Sequence, residues 1–356
     1  MSVAFISHAD CGRHDTGWNH PEHVGRLRAI TRALRAHPEL FDTVEHVEGR
    51  HATPEELALA HDPAYVRRVE SLARAGGGAL DADTVVSEGS WDAATAAAGS
   101  VLDGVDRALD GRGARAFCAV RPPGHHALRD AGMGFCLFGN VAIAAHHARR
   151  TRGLDRVLIV DWDVHHGNGT QALVERDPGI HFVSMHQWPW YPGTGAADDR
   201  GCGNVWNVPL PGGLPAARYV DELQRAVDRA TAGFVPQLVL ISAGFDSLRG
   251  DPLGGFTLEL EDVATLTRFL VDGAAAWCDG RVVSALEGGY APDRLGEACM
   301  THLVELGRGG GSAGGRAGGA APVRRYRGKA SPGPSFLLAI CCSRSRATRK
   351  YRGNGS

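Results

Sequence analysis

Apolar residues along this chain gather in short runs separated by longer stretches of helical spacing. Ala116 to Val120, Val157 to Val160, His181 to Val183, Leu238 to Ile241 and Val282 to Leu286 are continuous enough to read as strands buried on both faces. Between them, Trp91 to Leu109 and Ala216 to Ala232 repeat apolar side chains at three and four residues, as an amphipathic helix does. The opening residues Met1 to Ser7 read as a first strand, and Pro292 to Leu306 as a last helix. Strands alternating with helices predict a single α/β domain: a mostly parallel central β-sheet with helices on both faces. In open sheets of this kind ligands collect beyond the carboxyl ends of the strands, so the residues that follow each run are the first place to look for chemistry.

Two such places stand out. After Val157 to Val160 comes Asp161-Trp162-Asp163-Val164-His165-His166-Gly167-Asn168, and Asp163 and His165, two residues apart as the chain leaves a strand, share one face. A carboxylate and an imidazole so placed can grip one metal ion, and few, hard ligands of this kind suit a catalytic site with an open position better than a closed structural one. A hydrogen-bonded pair at a strand end is the plainer alternative. After Ala116 to Val120 comes Arg121-Pro122-Pro123-Gly124-His125-His126, where Pro-Pro-Gly fixes the sharp turn needed to aim both rings at one point. The two segments together supply metal ligands and a proton-handling pair, the parts of a zinc hydrolase.

With His20-Pro21-Glu22 and Arg26, Gly134-Phe135-Cys136, Ser184-Met185-His186, Tyr191-Pro192-Gly193-Thr194-Gly195, Ala243-Gly244-Phe245-Asp246, Gly250-Asp251-Pro252 and Leu286-Glu287-Gly288-Gly289-Tyr290 following in order, the chain resembles the histone deacetylase family of the arginase-deacetylase fold. It is most similar to the class II and bacterial members, including the acetylpolyamine amidohydrolases. The resemblance runs to about residue 307 and implies a zinc-dependent deacetylase domain over residues 1–307. It implies that Asp163, His165 and Asp246 hold one Zn²⁺, with His125 oriented by Asp161 and His126 by Asn168. Related ureohydrolases hold two ions through extra carboxylates, and the amide of Asn168 stands where one of those would be needed, which favours a single ion here. A ring beside a carboxylate favours imidazolium and a ring beside an amide does not, so His126 is expected to be the general base and His125 its electrostatic support. Tyr290 would polarise the substrate carbonyl. Gly134, Phe135 and Tyr191 would wall an aliphatic stem, and Leu253 stands where polyamine-specific relatives carry a glutamate, which argues for acyl-lysine over polyamines. A structural K⁺ would sit among oxygens of Asp161, Asp163, His165, Ser184 and Met185. Arg26 would either shape an inner cavity for departing acetate or form an ordinary buried ion pair.

Charge changes the picture at one end. The formal net charge is −2, yet residues 308–356 hold eleven Lys or Arg and no Asp or Glu, which leaves 27 basic against 40 acidic side chains in the rest. This Gly/Arg-rich tail is too poor in apolar residues to pack and reads as disordered, able to meet nucleic acid or another acidic surface, or to do nothing. Its apolar stretch, Phe336 to Cys342, falls far short of the roughly 20 residues of a membrane span. With no basic, apolar leader at the N-terminus, a cytoplasmic location is expected. Eight cysteines without a Cys-x-x-Cys pair suggest reduced thiols, Cys136 among them as a buried one. The expected activity is removal of an acetyl or other acyl group from an N-acylated amine, foremost acetyl-lysine in a protein or small molecule. An acetylpolyamine or other small-amide deacetylase, and a binding module that holds acylated ligands without turnover, are the alternatives.

Overall fold

Residues 3–17 and 19–308 are described in the computed structural model of the chain. The strands are β1 (Ala4–Ser7), β2 (Glu45–Glu48), β3 (Gly77–Ala79), β4 (Val85–Ser87), β5 (Arg115–Cys118), β6 (Val157–Asp161), β7 (Ile180–Gln187), β8 (Val205–Leu210), β9 (Leu238–Ala243) and β10 (Val282–Leu286). Eight of them form one sheet in the order β2-β1-β5-β10-β9-β6-β7-β8, with every neighbouring pair parallel. β3 and β4 make a separate antiparallel pair. The fold is the single-domain α/β architecture expected from the sequence. The basic tail expected after the last helix lies outside the described residues.

Alternate residues of each central strand enter two different cores. From β6, Leu158 and Val160 join Val239, Ile241 and Phe117 under the helices Gly25–Ala36, Ala216–Thr231, Leu260–Trp277 and Pro292–Gly307. Val157 and Ile159 join Leu238, Leu240 and Val283 under Pro63–Arg74, Ser90–Leu109 and Asn140–Arg150. Both faces being covered, the strands have no polar side to present, which is why they read as unbroken apolar runs. The helix Ala216–Thr231 buries Tyr219, Leu223, Ala226, Val227 and Ala230, one stripe at the helical repeat.

Sheet order differs from chain order in a way that builds the site. The chain lays down β5, moves three places to β6, and later fills the gap with β9 and β10. The segments that follow β5, β10, β9, β6 and β7 therefore lie side by side at one edge, although they span residues 119 to 290 of the sequence.

Two predictions concern stability. Ile159→Ala, at a fully buried position of the central strand, is expected to cost about 2–5 kcal/mol in urea unfolding, and a loss below the error of the method would contradict the packing. His302 is buried between Thr267 Oγ1 at 2.7 Å and Ser284 Oγ at 2.9 Å. Burial holds its pKa down at about 3, while burial also keeps His14 and His61 at about 4. Each is depressed relative to an unfolded value of about 6.5, so the unfolded chain binds more protons between those limits. Stability should be complete above about pH 6.5 and fall progressively as pH drops toward 4. His302→Gln should flatten part of that slope, and a urea midpoint unchanged between neutral pH and pH 5 would refute it.

Candidate active site

Each strand end in the row contributes a different group. β6 ends at Asp161 and its loop carries Asp163 and His165; Asp246 lies in the turn after β9; Glu287 to Tyr290 follow β10; His125 and His126 lie in the loop after β5. The structure brings Asp163, His165 and Asp246 together, all buried, with ligand atoms within 4.8 Å of one another.

The hydrogen bonds around these groups leave one deliberate-looking gap. Asp163 Oδ1 accepts from the His165 main-chain N–H at 3.0 Å and Oδ2 from Gly288 N–H at 2.8 Å. Asp246 Oδ1 accepts from Val164 N–H at 2.9 Å. Asp246 Oδ2, fully buried, has no hydrogen-bond partner, although His165 Nδ1 lies 3.2 Å away. A buried carboxylate oxygen without a donor is costly. Among the protein groups alone, burial and the charge of Asp163 push the Asp246 carboxyl up to about 7. A cation between two carboxylates and an imidazole relieves both problems, so the donor set fits a divalent ion such as Zn²⁺. Gly288 makes the cradle possible, because a Cβ there would collide with Asp246 Oδ2 and crowd Asp163 Oδ2.

The two histidines are held differently. His125 Nδ1 lies 3.0 Å from Asp161 Oδ2, and His126 Nδ1 lies 2.7 Å from Asn168 Oδ1. Their rings are 4.0 Å apart between centroids. Burial presses the His125 imidazole down, but the charges of Asp163 and Asp161 outweigh it and hold it well above the ordinary histidine value. For His126, burial comes first and the neighbouring rings of His125 and His165 add to it, so its pKa falls well below the ordinary value. One ring is thus built to be charged and its neighbour to be neutral.

A cavity of about 240 Å³ leads to this cluster, lined by Asp83, His126, Gly134, Phe135, His165, Trp190, Tyr191, Pro252, Leu253 and Tyr290. All four residues expected to shape a substrate slot are in its walls. Tyr191 stands edge-on to His126, with centroids 5.1 Å apart, and Phe135 edge-on to Tyr290 at 5.9 Å. Gly134 has a positive φ of 55°, and a side chain there would strike the His126 ring, so glycine is needed both for the turn and for the contact. Leu253 is half-buried in the lining, and its carbonyl accepts from Trp190 Nε1 at 2.9 Å. Ser184 stands in register with Asp161 across β6 and β7, with Met185 next to it.

Glu287, Asp251 and Asp83 were not assigned a role from the sequence, and Arg26 takes the buried ion pair that was one of its two expected roles. Glu287 Oε2 accepts from the main-chain N–H of Gly124 at 2.6 Å and of His125 at 3.1 Å, fixing the turn that aims the rings. Arg26 is in a buried ion pair with Glu22 at 3.0 Å, which Arg121 shares through Nε at 2.7 Å. Arg26 also donates to the carbonyls of Gly289, at 2.7 Å, and Glu287, and its guanidinium lies 5.0 Å from the Tyr290 ring centroid. Asp251 Oδ2 accepts from Tyr290 N–H at 2.7 Å. Asp83 is part of the cavity lining. Glu22, Arg26, Asp251 and Glu287 all lay within quoted motifs, but apart from the Glu22–Arg26 pair, four residues apart, their partners are up to 263 residues away and no spacing reveals them. Cys136 is buried close by, its sulfur 3.5 Å from the N–H of His126, and burial keeps its thiol well above the ordinary pKa. It is a packed thiol, without the thiolate character of a nucleophile.

The comparisons with known proteins agree with this geometry. A family model described as the histone deacetylase domain matches residues 20–306. A histone deacetylase-like amidohydrolase of Pseudomonas aeruginosa is 41% identical over 67% of this chain and 64% of its own length. The human polyamine deacetylase HDAC10 is 39% identical over 86% of this chain, which spans 48% of that longer protein. A solved structure, the crystal structure of the HDA15 HD domain, superposes with a TM-score of 0.81 at 36% identity, covering 86% of this chain and 88% of that one. The chain belongs to the histone deacetylase family and is a histone deacetylase-like hydrolase with the arginase-deacetylase fold. That family is zinc-dependent. No helix among the described residues is long and apolar enough to cross a membrane.

Gly288→Ala should leave the fold intact and weaken Zn²⁺ binding by at least about tenfold, since it displaces a carboxylate oxygen from its site. Equilibrium dialysis against a zinc buffer checks this, and wild-type affinity in the variant would show that the cradle is not the ion's.

Proposed function

We propose that the protein hydrolyses the amide of an N-acylated amine, with acyl-lysine as the substrate class the slot fits best. The observation that carries this reading is the lining of one small cavity, in which Phe135, Tyr191 and Leu253 meet His126, His165 and Tyr290. An acylated lysine side chain is an apolar stem whose amide has lost the charge that would make burial expensive. Apolar walls suit the methylenes, and a leucine in the lining offers nothing to a second ammonium group.

Asp163, His165 and Asp246 would hold one Zn²⁺. When bound, the ion supplies Lewis acidity that polarises the amide carbonyl and lowers the pKa of water. His126, kept neutral by burial, accepts a proton from the attacking water, and Asn168 orients its ring through Nδ1 without adding charge. The same proton passes to the amine nitrogen as the C–N bond breaks. His125, held charged by Asp163 and Asp161, opposes the negative charge that builds up in the site. The Tyr290 hydroxyl donates to the developing oxyanion; burial keeps the phenol well above its ordinary pKa, so it stays protonated to do this. The potassium that the resemblance implies finds Asp161 Oδ2 beside His125, Oδ1 taken by Asp163 N–H, and Ser184 Oγ 3.1 Å from His186 Nδ1. Its fit at Asp161, Asp163, His165, Ser184 and Met185 rests on main-chain oxygens, and it has no part in these steps.

A polyamine substrate is the second reading, favoured by the likeness to a polyamine deacetylase and by Asp83 in the lining, a carboxylate able to meet a distant ammonium. Acetate release from an acetyl-lysine peptide and from an N-acetylpolyamine, measured side by side, separates the two. The account expects the peptide to be turned over faster. Tyr290→Phe should keep the zinc and lose ~10²-fold or more in turnover, and equal activity in the two proteins would remove the tyrosine from the mechanism.

A further inference from the structure

A second group of metal-ligating side chains lies outside the slot. His8 follows β1, Asp10 sits in the short turn Ala9–Gly12, and His51 lies beyond β2, so both histidines emerge past the carboxyl ends of neighbouring parallel strands. The ligand atoms of the three lie within 4.8 Å of one another. His51 Nε2 is 3.1 Å from Asp10 Oδ2, His8 Nδ1 is 3.8 Å from the same oxygen, and the two rings meet edge to face with centroids 4.6 Å apart.

The hydrogen bonds around His51 favour the tautomer that turns Nε2 to the cluster. Thr95 Oγ1 lies 2.9 Å from Trp91 O and 3.1 Å from Asp92 O, carbonyls of its own helix that can take its proton and free it to accept from His51 Nδ1–H at 2.8 Å. With Nδ1 so engaged, Nε2 faces Asp10 Oδ2 at 3.1 Å, a contact that either a proton on Nε2 or a metal ion held by both atoms makes favourable. An outer hydrogen bond that fixes the tautomer of a ring is also what metal-binding histidines characteristically have. His8 Nδ1 now accepts from Asp10 N–H at 3.1 Å, a hydrogen bond that it would exchange for the ion. His51 is exposed and His8 and Asp10 are half-buried, so solvent reaches the cluster. Of the positive neighbours, Arg13 lies on the other oxygen of Asp10, 3.6 Å from Oδ1, and Arg50 donates to the His51 carbonyl at 3.2 Å.

We propose that His8, Asp10 and His51 bind a second divalent ion of the zinc, cobalt or nickel kind, for which two imidazoles and a carboxylate are suitable donors. Solvent completes its coordination. The ion ties the turn after β1 to the segment after β2, at the cost of the hydrogen bond that His8 now accepts. The site is independent of the catalytic one and of the substrate reading.

The test is calorimetric titration of the full chain with Co²⁺ or Zn²⁺, for wild type, His51→Gln, Asp10→Asn and Asp163→Asn, with circular dichroism to show that each variant is folded. Wild type should bind one equivalent more than His51→Gln or Asp10→Asn, and Asp163→Asn should keep that equivalent. Thr95→Val, which leaves all three ligands in place, should weaken it by about 10–100-fold. Equal stoichiometry in wild type and His51→Gln at millimolar metal would overturn the proposal, leaving His51 and Asp10 as a side-chain contact without an ion. Loss of the same equivalent in Asp163→Asn would assign it to the catalytic site and overturn it equally.

Discussion

Four carboxylates, Asp161, Asp163, Asp246 and Glu287, are each 0% exposed at adjoining strand ends, and the cost of that buried negative charge governs everything around them. The protein offsets it in layers. Main-chain N–H groups serve Asp161, Asp163, Asp246 and Glu287. His125 is held charged between Asp161 and Asp163, and two arginines share the single glutamate Glu22 behind the Tyr290 loop. What these donors leave over is one oxygen, Asp246 Oδ2, and it lies in the one place where an ion would touch all three ligands. The division of labour between the two histidines follows from the same charge: the ring that faces carboxylates is positive, and the ring screened by it is neutral.

Parallel-sheet topology is what allows so many polar groups to meet in a dry interior. Because β9 and β10 are inserted between β5 and β6, five strand ends that are distant in sequence deliver their loops to one spot. The glycines at 134 and 288 then let backbone and ring approach closer than any side chain would permit. Arg26 connects this interior to the surface helix Gly25–Ala36, holding the carbonyls of Glu287 and Gly289 so that Tyr290 is presented to the cavity.

Much of this was legible in the sequence because burial on both faces leaves a clear mark. The runs at Val157 to Val160 and Val282 to Leu286 became β6 and β10 almost residue for residue. β2 and β8 were not legible. Glu45–Glu48 is an edge strand with three exposed residues of four, and Val205–Leu210 contains Asn207 and Pro209, so neither shows an apolar run. Asp163 and His165 could be named from their spacing at a strand end and the histidine pair from the Pro-Pro-Gly turn before it, while Asp246 and the roles of the two rings came with the family resemblance. The groups that position them could not, since Glu22 and Arg121 are 99 residues apart and Thr95, which orients His51, sits in an ordinary alanine-rich helix. Hydrogen bonds formed across the fold leave no local pattern to read.

The central claim, that the gap at Asp246 Oδ2 exists for an ion shared with Asp163 and His165, is tested most directly by anomalous diffraction at the zinc edge from crystals of the zinc-loaded protein. The account predicts a strong peak in contact with Asp163, His165 and Asp246 Oδ2. A well-ordered structure with zinc in the medium and no peak there, or with Asp246 turned to another partner, would contradict it.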